Sequence, residues 1–292
     1  MDYLVDEKKK QKNKQMLRVF LGRGIIVNIS VMIIVLFVFA AVFAPLLTPY
    51  TPTQQDLLCR HAKLFTEGHI LGTDKFGRDV LTRLLYGART SLTCSLLSSI
   101  WACIVGSLLG IVAGYFEGVT GRTIMGYMDA QLSIPPLILS MTLATILGKN
   151  ILAIAVVIGI GSIPGYTRVA YSNVLSLKEN DYIAASRLVG QSKWKIIMKH
   201  LLPNCFASLI VIFTMSLGHA IMVESSLAYL GVGLCEPVAA WGIMVSDGFA
   251  YLTSLPSLAL LPGLCIMLLV VAFNVVGDGL RDALDPKLRG KL

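Results

Sequence analysis

Long stretches without a single charged side chain constrain this chain more than any other feature of its sequence. No Asp, Glu, Lys or Arg occurs over residues 24–55, 90–116, 130–148 or 248–277. Each run approaches or exceeds the roughly 20 apolar residues that cross a bilayer as a helix. Shorter charge-free runs at 150–167 and 201–223, the second broken only by His219, supply two more. The reading is an all-α membrane protein of six spans, at about 25–47, 90–115, 129–148, 151–168, 205–226 and 256–277, with the weakest signal in the fourth. Only 14% of the residues are charged, against about a quarter in a soluble domain. Such a chain has little with which to cover a water-facing surface.

The first apolar run, Ile25 to Leu47, is too long for the core of a cleaved signal peptide, and no small-residue cleavage pattern follows it. It is expected to remain as an anchor. The net charge of +8 raises the question of nucleic acid, and the placement of the charge answers it. Lys8, Lys9, Lys10, Lys12, Lys14, Arg18 and Arg23 precede the first span, while Arg281, Lys287, Arg289 and Lys291 follow the last. No Lys or Arg lies between Lys199 and Arg281. Basic residues gather on the cytoplasmic side of membrane proteins. Both termini are therefore read as cytoplasmic (N-in/C-in), and the partner of the basic residues as membrane lipid rather than nucleic acid.

The organisation that follows is a cytoplasmic basic tail at 1–24 and a transmembrane domain at 25–292. An outside loop fills 48–88, and a charge-rich inside loop fills 169–203. Spans three and four are joined only by Gly148, Lys149 and Asn150, which makes them an antiparallel hairpin. Gly106, Gly110 and Gly114 recur every four residues in span two. That spacing lets helix backbones approach closely in lipid. Of six cysteines, Cys59 and Cys235 fall in outside loops and the rest in or beside spans. None has the spacing of a zinc site or disulfide framework, so free thiols are expected. No metal site is expected.

The inside loop carries the functional argument. Residues 181–204 read as two short helices about Gly190, a residue that permits a sharp turn. After the glycine, Trp194, Ile197, Met198 and Leu201 fall at helical spacing as an apolar stripe, with Lys193, Lys195 and Lys199 off it. Pro203 is expected to end the segment. Physically, such a helix either lies on lipid headgroups or lays its apolar face into a partner's groove.

The pattern resembles the coupling motif of ABC-importer permeases: Glu-Ala-Ala, a glycine four residues on, and an Ile-x-Leu-Pro ending. Here Ala185, Ser186, Gly190, Leu202 and Pro203 correspond, while Ala184 stands where the family often has Glu. Three further stretches resemble the C-type permeases of dipeptide, oligopeptide and nickel importers. One is Leu71-Gly72-Thr73-Asp74-Lys75-Phe76-Gly77-Arg78-Asp79-Val80, running on through Arg83 to Arg89. Another is Glu224-Ser225-Ser226-Leu227 with Leu230-Gly231-Val232-Gly233 and Trp241-Gly242. The third is Gly277 to Pro286.

The resemblance implies the type I ABC-importer permease fold and a chain that catalyses nothing, forming half of a translocation pathway for di- or oligopeptides. Nickel or an opine-like chelate is the alternative solute. No Gly-x-x-x-x-Gly-Lys-Ser/Thr phosphate loop is present. The resemblance accordingly puts ATP and Mg²⁺ on two partner ATP-binding subunits, with no cofactor on this chain. It adds a second homologous permease subunit and an extracytoplasmic solute-binding protein. Ala184, Ala185, Ser186, Gly190, Trp194 and Pro203 become the expected ATPase-coupling residues. Asp74, Arg78, Asp79 and Glu224 become candidates for contact with the binding protein or within the outer loop. Polar groups inside spans are functional candidates; Glu224 and Asp129 are also read as helix-packing groups, and lone His219 as a hydrogen-bonding link between helices. A secondary carrier or an intramembrane enzyme would need ion-coupling charges in an internal repeat or a nucleophile–base cluster, and neither pattern is evident.

Overall fold

A computed structural model describes residues 24–284. The basic runs at 8–23 and 287–291, on which the N-in/C-in reading largely rests, lie outside the described residues. Within them the chain is helical: α1 Ile25–Leu47, α2 Val80–Phe116, α3 Gly118–Leu132, α4 Pro136–Leu147, α5 Ile151–Leu177, α6 Asp181–Leu188, α7 Lys193–Ile196, α8 Leu202–Tyr229, α9 Trp241–Phe249 and α10 Ser257–Leu284. A π-turn, Ile197–Leu201, joins α7 to α8. Among the described residues there is no strand, only the isolated bridges Thr66–His69 and Thr73–Asp79.

Five helical segments are long and apolar enough to cross a membrane: α1, α2, α5, the run Lys193–Tyr229, and α10. A sixth crossing needs α3 and α4 together, and these meet at 92°. The third span is therefore the irregular one, and the fourth is a full 27-residue helix. Charge-free sequence hides this break, because hydropathy does not register a bend. Its cause is the pair Pro135–Pro136. Pro136 takes the first turn of α4, where its missing N–H costs nothing, and Pro135 forces Ile134 out of helical geometry. Asn150 then caps α5, its side chain accepting a 2.8 Å bond from the Ala153 N–H.

Two other boundaries differ from the sequence reading. Helix α2 begins at Val80, ten residues earlier than expected, since Asp79 caps it by accepting from the Thr82 N–H at 2.7 Å. At about 1.5 Å per residue its 37 residues reach beyond the bilayer into the outer loop. Pro203, expected as a terminator, sits in the first turn of α8 within one continuous helical run. The preceding π-turn widens the ladder where the proline has no N–H to give.

The bundle is centred on α2 and α5, whose mutual contact is the most extensive in the chain. A Cβ at Gly106 would stand 2.6 Å from Tyr166 Cβ and 2.8 Å from the Ile163 carbonyl oxygen. One at Gly110 would stand 2.7 Å from Ala170 Cβ, and one at Gly114 2.9 Å from Val174 Cβ. The four-residue glycine repeat is thus the face on which α5 lies. Helix α8 joins the pair through a polar link, with the Tyr166 hydroxyl 2.5 Å from Ser216 Oγ, which donates to Ser99 Oγ at 3.0 Å. Such bonds serve as glue where lipid supplies no hydrophobic drive. The loop 48–79 and the segment 231–247 meet at one end of the bundle, tied by Arg78 and Glu236. Residues 117 and 178–200 gather at the other end, where Lys178 pairs with Glu117.

Replacing Gly110 by Val forces a branched side chain into the α5 backbone. The change is expected to cost about 3 kcal/mol and to lower the thermal midpoint of the purified subunit in detergent. Gly126→Ala, at a helical site with nothing within 4 Å of the added methyl, is expected to stay within about 0.5 kcal/mol of wild type.

Candidate functional site

The inner end carries a compact element built from α6, α7 and the π-turn. Asn180 starts it, Val189 closes α6 with its N–H bonded to the Ala185 carbonyl, and Gly190 turns the chain at φ 75°. That backbone region strains any residue with a Cβ. Space around Gly190 is open, so only its backbone angle demands glycine. Ile183, Ile196, Ile197 and Leu201 anchor the element in a core shared with Ile111 of α2, Met128 of α3 and Val174 of α5. The Arg187 guanidinium lies 5.2 Å from the Tyr115 ring, and the Lys193 ammonium 5.6 Å from Phe116.

The stripe expected on this element is displaced. Ile197 and Leu201 are buried with Ile196, whereas Trp194 is 62% and Met198 43% exposed. The π-turn inserts an extra residue into the helical repeat and shifts its phase. Leu188 and Val189, at 89% and 87% exposure, form an apolar tip beside Gly190. Ala184, Ala185, Trp194 and Pro203 are exposed, and Ser186 is half-buried, its hydroxyl donating to the Tyr182 carbonyl at 2.8 Å. The structure therefore brings Ala184, Ala185, Ser186 and Gly190 together on one short element, with Trp194 on the next and Pro203 beyond it.

At the outer end, Arg78 is the centre of a clamp. Its Nε donates to Asp74 Oδ2 and one terminal nitrogen to Glu236 Oε1, both at 2.6 Å. Lys75 Nζ donates to Asp247 Oδ1 at 2.6 Å. Arg83, fully buried one turn into α2, lies 3.7 Å from Asp74 and 3.8 Å from Glu236. Burial works against the Arg78 charge, but its two carboxylates outweigh it and raise its affinity for the proton. Burial likewise works to raise Glu236, yet the bond and charge of Arg78 hold this carboxyl below its usual range. Asp247 is pushed above its usual range, first by burial. His69 Nδ1 lies 2.9 Å from Asp79 Oδ1 beneath Tyr50. Trp241, fully buried, donates Nε1–H to the Leu84 carbonyl at 3.0 Å and packs where Gly87 has no side chain.

The outer candidates sit in the protein's own contacts, the outer-loop and helix-packing alternatives of the sequence reading. Arg78 and Asp79 are buried, and Asp74 is nearly so, within the outer loop's own ion pairs, leaving little surface for a docked protein. Glu224 has none. It is fully buried between helices, accepting from Ser91 Oγ at 2.9 Å and Ser225 Oγ at 3.4 Å. His219, read as a link between helices, is exposed and makes no hydrogen bond among the described residues. Asp129 pairs with Arg168 at 2.6 Å. All six cysteines are free thiols. Sequence reasoning missed Lys75, Arg83, Glu236 and Asp247, whose pairings span as many as 172 residues.

The description "Binding-protein-dependent transport system inner membrane component" matches residues 106–290. The chain belongs to this family. As a member it is a multi-pass permease subunit of the ABC-importer type, in the cytoplasmic membrane. A second description, "N-terminal TM domain of oligopeptide transport permease C", matches residues 28–63. Among relatives, the di/tripeptide transport system permease protein DppC of Pseudomonas aeruginosa is 40% identical over 265 residues, covering 89% of this chain and 88% of its own. The dipeptide transport permease DppC of Alkalihalophilus pseudofirmus is 39% identical, covering 89% and 86%. The glutathione transport permease GsiD of Pectobacterium atrosepticum is 36% identical, covering 88% and 85%. The fold matches an inward-facing MetNI methionine ABC transporter with TM-score 0.56 at 19% identity, over 68% of this chain and 95% of the other.

Arg78→Ala leaves Asp74 and Glu236 with only the more distant Arg83 guanidinium between them. It is expected to cost about 3 kcal/mol and to speed proteolytic cutting of the loop 48–79. Arg78→Lys is expected to restore little, because an ammonium does not match the two-armed geometry.

Proposed function

We propose that this chain forms one half of the translocation pathway of an ATP-driven importer of short peptides. A second homologous permease forms the other half, two ATP-binding subunits supply the energy, and an extracytoplasmic protein delivers the solute. Three relatives named for dipeptide, di/tripeptide and glutathione transport, each matching most of this chain, support peptides as the solute. In this reading the subunit holds no cofactor, and ATP and Mg²⁺ belong to the ATP-binding partners.

The observation that carries the coupling role is the apolar tip Leu188–Val189. A helix resting on lipid has one apolar face, and here the isoleucines and Leu201 have already spent that face on the bundle. Leu188, Val189 and Trp194 are apolar side chains that nothing among the described residues covers. Apolar side chains on a short anchored helix suit a groove in a partner. Closure of the ATP-binding subunits would push on this element and, through Ile183 and Ile197, on α2, α3 and α5 together.

Leu188→Glu or Val189→Glu places a charge in that contact. Either variant is expected to insert normally but to lose at least about tenfold in ATP-driven peptide uptake, equivalent to about 1.4 kcal/mol of weakened docking. Uptake in vesicles together with recovery of the ATP-binding subunits on purification checks this. Normal uptake by both variants would refute the coupling assignment.

A further inference from the structure

One face of α8 carries a run of polar and sulfur-bearing side chains. Ser208, Met215, His219, Met222 and Ser226 follow one another at helical spacing and so lie along one stripe. Toward the inner end this stripe floors a groove of about 510 Å³, walled by Val169 of α5 and by Arg281 and Leu284 of α10. Toward the outer end it floors a second groove of about 380 Å³, walled by Leu137 of α4, Val245 of α9 and Ile266 of α10. Helix α10 lines both grooves, joined by α5 in the inner one and by α4 and α9 in the outer one. His219 stands between them, exposed and without a hydrogen bond among the described residues. It lies about 15 Å along the helix from Tyr229, at about 1.5 Å per residue.

An ionisable side chain at that depth does not face hydrocarbon; it faces a protein partner or a water-filled cavity. A close seam between helices in lipid is made of small residues, as Gly106, Gly110 and Gly114 show against α5. The α8 stripe differs in having Met215 and Met222, long flexible side chains, in two concave grooves, each with a serine of the stripe, Ser208 or Ser226, beside it. Methionine is the side chain of surfaces that accept many shapes. Imidazole, neutral or protonated, always keeps an N–H to donate. Together they suit a solute whose side chains vary but whose carbonyl and carboxylate oxygens do not.

We propose that this stripe is the wall of the solute path contributed by this chain, and that His219 donates a hydrogen bond to a carbonyl or carboxylate oxygen of the peptide passing it. The inference deepens the peptide-import reading and rests on it for the identity of the solute, though not for the location of the path.

The test uses the assembled transporter in proteoliposomes, with the six native cysteines of this chain replaced and one cysteine introduced at a time. Met222→Cys and Ser226→Cys are expected to react with a charged methanethiosulfonate at least about tenfold faster than Val35→Cys, which is exposed on α1. A saturating dipeptide with its binding protein is expected to slow that reaction. Equal, slow labelling at all three sites would overturn the path. His219→Leu is expected to reduce dipeptide uptake about tenfold, the loss of one desolvated hydrogen bond. His219→Gln, which keeps a donor, is expected to stay within about threefold. Full uptake by His219→Leu would overturn the contact. A wild-type transporter that carried no peptide would fail in uptake while still labelling at Met222 and Ser226, so an error in the solute and an error in the path are separable.

Discussion

The close crossing of α2 over α5 is the contact on which the remaining structure depends. In lipid no hydrophobic drive holds two apolar helices together, so their association rests on dispersion contacts and on bonds between backbones brought near. Gly106, Gly110 and Gly114 remove the side chains that would keep α5 away. Tyr166, Ser216 and Ser99 then bring α8 onto the pair with the few hydrogen bonds the interior holds. The inner element α6–α7 reaches this pair through Ile183 and Ile197. The outer clamp reaches it through Arg83 and Trp241, which seat on the outer turns of α2. A push at one end has a stiff route to the other.

The two ends are built by different physics. The inner element is held by apolar anchoring and by cations over aromatic rings, and it leaves an uncovered apolar tip. The outer end is held by charge, with Arg78 gathering carboxylates from two loops far apart in sequence. Buried ion pairs of this kind add little net stability over an apolar core, but they are strongly destabilised when one partner is removed. They fix which loop meets which.

Much of this was legible in the sequence, and the failures have physical causes. Charge-free runs located the spans because hydrocarbon excludes charge at a cost no loop composition imitates. The bend at Pro135–Pro136 was missed because a broken helix and a straight one carry the same hydropathy. The start of α2 was set too late because Arg83 and Arg89 read as loop residues, whereas Arg83 is buried inside a helix by partners from another loop. Those partners left only a coarse trace, a basic outer segment at 75–89 and an acidic one at 224–247. Trp194 was placed on one apolar stripe with Ile197 and Leu201, and the two faces part because a π-turn, which has no sequence signature, shifts the phase of the helix. Glu224 and His219 look alike in sequence, each a single ionisable residue in an apolar run. Only three dimensions separate a carboxylate enclosed by Ser91 and Ser225 from an imidazole left facing outward.

Pulsed electron resonance between spin labels at Val119 on α3 and Asp181 on α6, both exposed, tests the stiff connection directly in the assembled transporter. The predicted result is a separation unchanged to within about 2 Å between nucleotide-free and ATP-trapped states, while the distance from Asp181 to a label on the second permease subunit shifts by more than that. A change of more than about 2 Å within this chain would show that α6 moves relative to α3 and the core they share with α2 and α5, contradicting the account.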